Sequence, residues 1–539
     1  MSAMLLVVIS VLVFLVAYAT YGAFLAKKWG IDVKRKTPAH TLNDGVDYLP
    51  AKAPVLLGHH FSSIAGAGPI VGPIGAAIFG WVPVFLWILI GSIFFGGVHD
   101  MGALFASVRH DGKSLGEVIG ENIGETGKKL FSVFSWLTLL LVVAAFTNIV
   151  AGTFVNVPEA ATASILFIVI AIGFGIFVYR KGVSLSVGSV IGVILLVVCI
   201  WLGNKFPVML SKETWMIILL GYIFVASVTP VWILLQPRDY LNSFLLYAML
   251  LGGLVGIFLA NPVLELAPVT AFEVDGKMMF PMLFVIVACG AISGFHSLVG
   301  SGTTSKQLDN EKDIKLIGYG SMLIEGVLAV IALITVAYIT KDQAALLGGN
   351  PVTIFSTGLG NFMGSFGLPA EVGTSFTALA ISAFALTSLD TATRLARFIF
   401  QEAFISKDKA QSPAVKVLTN RFVATGITVA FGGALAFKGW SQIWPIFGSA
   451  NQLLSAIALL AIGIWLKATG KEHRMATIPM VFMFAVTLVA LGQLIMANLT
   501  NYVLLFFSVA LFILAFVLIL QAYKAFKNMS INEEIKKVG

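Results

Sequence analysis

The stretch Gly58-His59-His60-Phe61-Ser62-Ser63-Ile64-Ala65-Gly66-Ala67-Gly68-Pro69, with Gly72 and Pro73 just beyond it, decides the fold of this 539-residue chain. It lies inside an apolar run, 53–80, long enough to cross a bilayer. Glycine flexibility and the missing proline N–H both oppose a continuous helix there. Unwound backbone at membrane depth is tolerated only where it is buried in protein or lines a wet cavity. The stretch therefore predicts a broken transmembrane helix at a functional site.

The surrounding chain supports the membrane reading. It is 58% hydrophobic and 11% charged, with mean hydropathy +0.96, whereas soluble domains are about a quarter charged. Apolar runs predict an all-α polytopic protein with about fifteen spans. These are 4–26, 53–80, 81–109, 129–153, 158–179, 184–203, 213–235, 240–261, 280–302, 314–340, 372–402, 420–437, 441–468, 476–497 and 501–525. With the N-terminus outside, alternation places all but five of the 34 Lys and Arg residues in cytoplasmic loops; the five are Lys205, Lys212, Lys277, Lys341 and Lys438. The net charge of +8 thus reports topology, with a cytoplasmic C-terminus, and not a nucleic-acid partner.

Several functional classes find no support. Cys199 and Cys289 sit in apolar runs without Cys-x-x-Cys company, so neither a disulfide framework nor a thiolate metal site is expected. Gly112-Lys113-Ser114 has Ser107 where a phosphate-binding loop needs its first glycine, and a membrane helix precedes it in place of a strand. No His-Glu-x-x-His or Gly-x-Ser-x-Gly is present. Ala17-Tyr18-Ala19 resembles a signal-peptidase site, but no Lys or Arg precedes it, and the first helix is expected to stay. No cofactor is expected.

A second interruption is expected in the seventh span, at Ser227-Val228-Thr229-Pro230-Val231 and Gln236-Pro237-Arg238-Asp239. The two interrupted spans are five apart and run in opposite directions, as in a five-plus-five inverted repeat of the leucine-transporter type. The expected organisation is a first helix and basic loop over 1–52, a transport core over 53–402 with halves 53–203 and 213–402, four accessory helices over 403–525, and a tail over 526–539.

Ionisable groups at membrane depth cost at least about 2.5 kcal/mol on insertion scales and mark function. His59, His60, His99, Asp100, His296 and Asp390 all fall in the cytoplasmic half of their spans, and Glu325 lies midway along its own. Histidines beside carboxylates suit proton coupling, so these seven are the proton-coupling candidates. The alternatives are a helix-end pair for His99-Asp100, an intrahelical i, i+4 pair for Asp390 and Arg394, and convergence of the histidines on a metal. Ser301, Thr303 and Thr304 offer oxygen ligands for sodium, or satisfy themselves on backbone carbonyls. An anionic substrate is assigned to the half-helix N-terminus at Gly66, Ala67 and Gly68, with Ser62, Ser63 and Thr229 as polar contacts.

The blocks Asp47-Tyr48-Leu49-Pro50, Gly58 through Pro69, Gly96-Gly97-Val98-His99-Asp100, Gln236-Pro237-Arg238-Asp239-Tyr240, Ser301 through Gln307 and Leu389 through Arg394 resemble the carbon starvation protein A family. The resemblance runs from about residue 20 to 465 and is weakest in the last four helices. It implies an inner-membrane secondary transporter associated with nutrient limitation, importing a small carboxylate such as pyruvate, or short peptides, by proton symport. It also implies the fold of the amino acid, polyamine and organocation transporters. Competing readings are a sodium-coupled transporter of amino acids, a channel, and a membrane-embedded sensor or enzyme that uses the His and Asp residues on a lipid or quinone.

Overall fold

Apolar runs of this length can satisfy their backbone in lipid only as helices, and helices make up nearly all of the chain. The computed structural model describes residues 2–45, 47–339, 350–404, 412–438 and 440–528; Lys341, Lys407, Lys409, Lys536 and Lys537, used in the charge alternation, lie outside the described residues. In chain order the helices are α1 Ala3–Trp29, α2 Ala53–Ile64, α3 Gly68–Phe79, α4 Trp81–Arg109, α5 Leu115–Ile123, α6 Glu125–Asn156, α7 Pro158–Arg180, α8 Leu185–Lys205, α9 Lys212–Val228 and α10 Leu235–Ala260. After a hairpin of Glu273–Val274 with Lys277–Met278 come α11 Met279–Ile286, α12 Gly294–Gly302, α13 Glu311–Ile339, α14 Pro351–Gly364, α15 Ala370–Phe404, α16 Arg421–Ala436, α17 Trp440–Ala468, α18 Arg474–Ala497 and α19 Tyr502–Asn528.

Among the described residues, 11 helices are long and apolar enough to span, or 12 if the bent pair α2–α3 counts as one span. The sequence predicts about fifteen. The difference lies in three segments where hydropathy is sufficient but helix length is not: α9 has 17 residues, α16 has 16, and the run 280–302 is split into helices of 8 and 9.

The first expected break is present. Helix α2 ends at Ile64, α3 begins at Gly68, and the two are bent by 42°. The second is elsewhere than the sequence suggests. Residues 229–234 are the turn between two separate helices, and Gln236 to Tyr240 form the first turns of α10. The interrupted second helix is α11–α12, whose backbone leaves the helix between Val287 and Ser293. Proline marked the wrong place because a turn between helices uses the same residues as a mid-span break.

The two real breaks touch. A Cβ at Gly72 would meet the Ile286 carbonyl oxygen at 2.7 Å, and one at Gly68 would strike the side chain of Cys289. These glycines let two backbones approach closely, which is how helices pack in lipid. Gly68 is thereby a packing residue between the breaks. Around them, the two longest helices, α6 and α15, lie against each other.

Helix α17 is buried along its span and packs on α4, α6 and α12. It belongs to the centre, although the sequence groups it with the accessory helices. Hydropathy is equal for a helix facing lipid or protein, so only its buried polar face, Ser449, Asn451, Gln452 and Ser455, carried the signal.

Candidate functional site

The site grows from the loosened segments. Wide π-type turns at Ser92–Gly96 in α4 and Lys315–Gly320 in α13 precede His99 and Asp100 in the first helix and Glu325 in the second; such turns often mark functional positions. A Cβ at Gly91 would lie 2.6 Å from that of Ala291, in the second break. This close approach brings α4, α12 and α13 together and with them four ionisable side chains.

Asp100 accepts on both oxygens, from His99 Nδ1 at 2.6 Å on Oδ1 and from His296 Nδ1 at 2.9 Å on Oδ2. His296 then reaches Glu325 with its other ring nitrogen, at 3.5 Å. The result is a file His99–Asp100–His296–Glu325 whose side chains are all inaccessible. Among the described residues, His99 Nε2, His296 Nε2 and both Glu325 oxygens have no hydrogen-bond partner. Every member can gain or lose a proton, and a low-dielectric interior disfavours net charge. Adding a proton to this file or removing one from it is therefore favoured only with a matching charge change nearby.

A second buried cluster lies on α2, α9, α10 and α15. His59 Nδ1 is 2.9 Å from Asp239 Oδ2, and Arg238 Nη2 donates to Asp239 Oδ1 at 3.0 Å. Through Nη1, Arg238 also bonds Asp390, while the Tyr222 hydroxyl donates to Asp390 Oδ2 at 2.6 Å. The expected i, i+4 pair of Asp390 with Arg394 is not formed. Arg394 donates instead to the carbonyls of Ala226 and Thr229 at the end of α9, with Asp47 at 3.9 Å. A cation at a helix C-terminus satisfies orphan carbonyls, and the bulkier network around Arg238 takes the carboxylate.

The remaining expected residues divide. His60 joins neither cluster directly and bonds Thr304 Oγ1 at 2.8 Å. Ser62 donates to the Asp239 carbonyl, and Ser63 Oγ is 3.4 Å from Thr391 Oγ1. Gly66 faces Ser388 and Phe146, and Ala67 precedes α3, which has no side-chain cap. Thr229 is apart from this break: its hydroxyl donates to Val225 on its own helix. Ser301 and Thr303 hydroxyls donate to Ser297 and Val299 carbonyls one turn back, so their protons are used within the helix. No group of three or more His, Cys, Asp or Glu able to hold a metal occurs among the described residues.

Sequence reasoning missed Tyr222, Arg238, Asp239 and Asn451 as site residues. The Asn451 side chain accepts from the Phe295 N–H at 2.8 Å, in the first turn of α12, and bonds Ser293 at 3.0 Å. It caps the second broken helix, and an Asn in an apolar run was the available signal.

Against known proteins, the family described as carbon starvation protein CstA matches residues 2–349 and 340–490. The chain belongs to this family. Within it, the chain is 34% identical to the peptide transporter CstA of Campylobacter jejuni, covering 90% of this chain and 79% of that one. It is 31% identical to the peptide transporter CstA of Bacillus subtilis over 98% of both chains. The pyruvate/proton symporter BtsT of Escherichia coli is 32% identical over 91% of this chain and 81% of its own. These CstA-family relatives are transporters and not enzymes. Among solved structures, an Eremococcus coleocola manganese transporter superposes with TM-score 0.53 at 12% identity, over 92% of this chain and 99% of that one. That likeness concerns the fold alone.

Proposed function

We propose that this CstA-family chain is a secondary active transporter that imports a small carboxylate such as pyruvate, or a short peptide, together with protons across the inner membrane. Its N-terminus lies outside. The observation that carries the reading is the attachment of the file His99–Asp100–His296–Glu325 to the second broken helix through His296, two residues into α12. A helix that rearranges at its break changes the surroundings of that proton-carrying file, which is what coupling requires.

Substrate carboxylate would meet the uncapped N-terminus of α3 at Gly66, Ala67 and Gly68, where peptide N–H groups and the helix dipole favour an anion. Ser62 and Ser63 flank it. The corresponding end of α12 is already occupied by Asn451, so the two half-helices are not equivalent. The repeat halves are then 53–260 and 280–468, with α9 or α8 as an insertion, and Asp390 is assigned to the Arg238 cluster in place of proton transfer. Protons are favoured over sodium because the Ser301 and Thr303 hydroxyls are turned to their own helix and Thr304 to His60.

The test is transport by the purified chain in proteoliposomes. Labelled pyruvate or a labelled dipeptide is expected to exchange against unlabelled solute and to accumulate on an inward proton gradient without sodium. Chemical alteration of the solute, or flux without trans-stimulation, overturns the reading.

A further inference from the structure

A cavity of about 260 Å³ opens between α3, α6, α9, α14 and α15, away from both buried charge clusters. Its polar lining includes Asn148, Thr153, Asn156, Lys212, Asn350 and Ser356, and among the described residues Lys212 is the one ionisable group on its wall. Among the described residues no carboxylate lines it; even Glu213, the neighbour of Lys212 in sequence, is absent from the wall. By contrast, the larger cavity of about 1080 Å³ beside it carries Glu273 and Asp275 together with Lys277, and the two cavities share Val71 and Pro351.

The ammonium is positioned. Asn148 is buried, and its amide donates to the Ala436 carbonyl at 3.0 Å, which orients the amide oxygen to accept from Lys212 Nζ at 2.9 Å. One of three N–H donors is used, leaving two for a ligand. Among the described residues Lys212 has no carboxylate partner. Helix stability does not explain it either, because Lys212 is the first residue of α9, where a cation opposes the helix dipole. It is also one of the five basic residues that the charge alternation leaves outside the cytoplasmic set. Ligand pockets for drug-sized molecules begin at about 300 Å³, so this one suits a solute of a few carbons or one end of a peptide. It borders α3 through Val71, three residues beyond Gly68.

We infer that this cavity is a second, peripheral carboxylate-binding site, in which Lys212 captures the anionic end of the substrate before it reaches the break between α2 and α3. The inference rests on the transport reading above. Pyruvate and the C-terminal carboxylate of a peptide share the chemistry that Lys212 recognises.

The experiment uses the full chain in proteoliposomes, with labelled pyruvate and labelled dipeptide as separate probes. Lys212→Gln is expected to raise KM for the transported solute roughly ten-fold, the loss of one charge-assisted contact, with a far smaller change in maximal rate. Lys212→Arg should hold KM within about two-fold of the parent, since the charge remains. For Lys212→Cys, an aminoethyl thiosulfonate that restores a positive charge should lower KM again, and a sulfonatoethyl reagent should raise it further. Cys199 and Cys289 are both buried, which limits background labelling. Equal KM in the Gln variant and the parent, or equal effects of the two reagents, overturns the site while leaving the transport reading intact. A parent chain that carries neither probe overturns both. A KM effect confined to one probe assigns the site to that solute.

Discussion

Both buried charge clusters combine histidine with carboxylates, and one of them also holds a permanent cation. The file on α4, α12 and α13 contains two histidines and two carboxylates, all of which can change charge. The cluster on α2, α9, α10 and α15 contains His59, Asp239, Asp390 and Tyr222 around Arg238, which cannot lose its proton in a protein. A permanent buried cation needs its carboxylates at all times, so that cluster ties four helices together. A file with no permanent charge can be neutral or charged according to its proton count, at modest cost when the count is matched. The difference teaches that burial alone does not separate a cluster that holds helices together from one that can change charge; the absence of a fixed charge does.

The contrast can be broken most directly at Arg238. Arg238→Met removes the guanidinium and leaves Asp239 and Asp390 without it, an expected loss of about 3–5 kcal/mol, read as a large fall in the unfolding midpoint in detergent. Arg238→Met with Asp390→Leu should recover a substantial part, because a removed pair costs less than a broken one. A single variant as stable as the parent would show that Arg238 ties nothing together.

A smaller effect on stability, with a large one on coupling, is expected at Glu325. Its oxygens accept no hydrogen bond, so Glu325→Gln should change stability by about 1 kcal/mol or less. Accumulation on a proton gradient should fall to the level without a gradient, while solute exchange persists. Gradient-driven accumulation that survives in this variant would place coupling outside the file.

The smallest effect tests burial of a lone cation at the membrane edge. Lys471, in the loop between α17 and α18, donates to the Trp29 carbonyl at the end of α1. Burial, reinforced by Arg109 nearby, pushes its ammonium down to about 8. The folded state thus binds this proton less tightly than the unfolded chain, and stability should rise as pH increases from about 8 toward 10. The lysine is partly exposed and screened, so the expected rise is roughly 1 °C in the unfolding midpoint. Lys471→Gln should flatten it, and an equal slope in both proteins would remove the assignment.

The broken helix at Ala65–Ala67 was legible because Gly66, Gly68 and Pro69 crowd into four residues of a single apolar run, where flexible backbone and a missing N–H coincide. The break between Val287 and Ser293 was not, since Gly290 is its only glycine and no proline falls inside it. What opens that segment is the close packing of Gly72, Gly91 and Cys289 across the interface. The partner of Asp390 was sought one turn away, at Arg394, whereas it bonds Arg238, 152 residues back on α10.

The sequence by itself determined that the chain crosses a membrane many times, where most helices lie, and which ionisable groups fall inside its apolar runs. Those conclusions follow from composition and local periodicity, because lipid imposes the same rule on every segment independently. Only the tertiary structure decided that His296 stands between Asp100 and Glu325, that Arg238 holds Asp390, and that α17 is central. Pairing depends on which faces of distant helices meet, and in a chain whose spans are apolar on every side no single helix encodes which face that is.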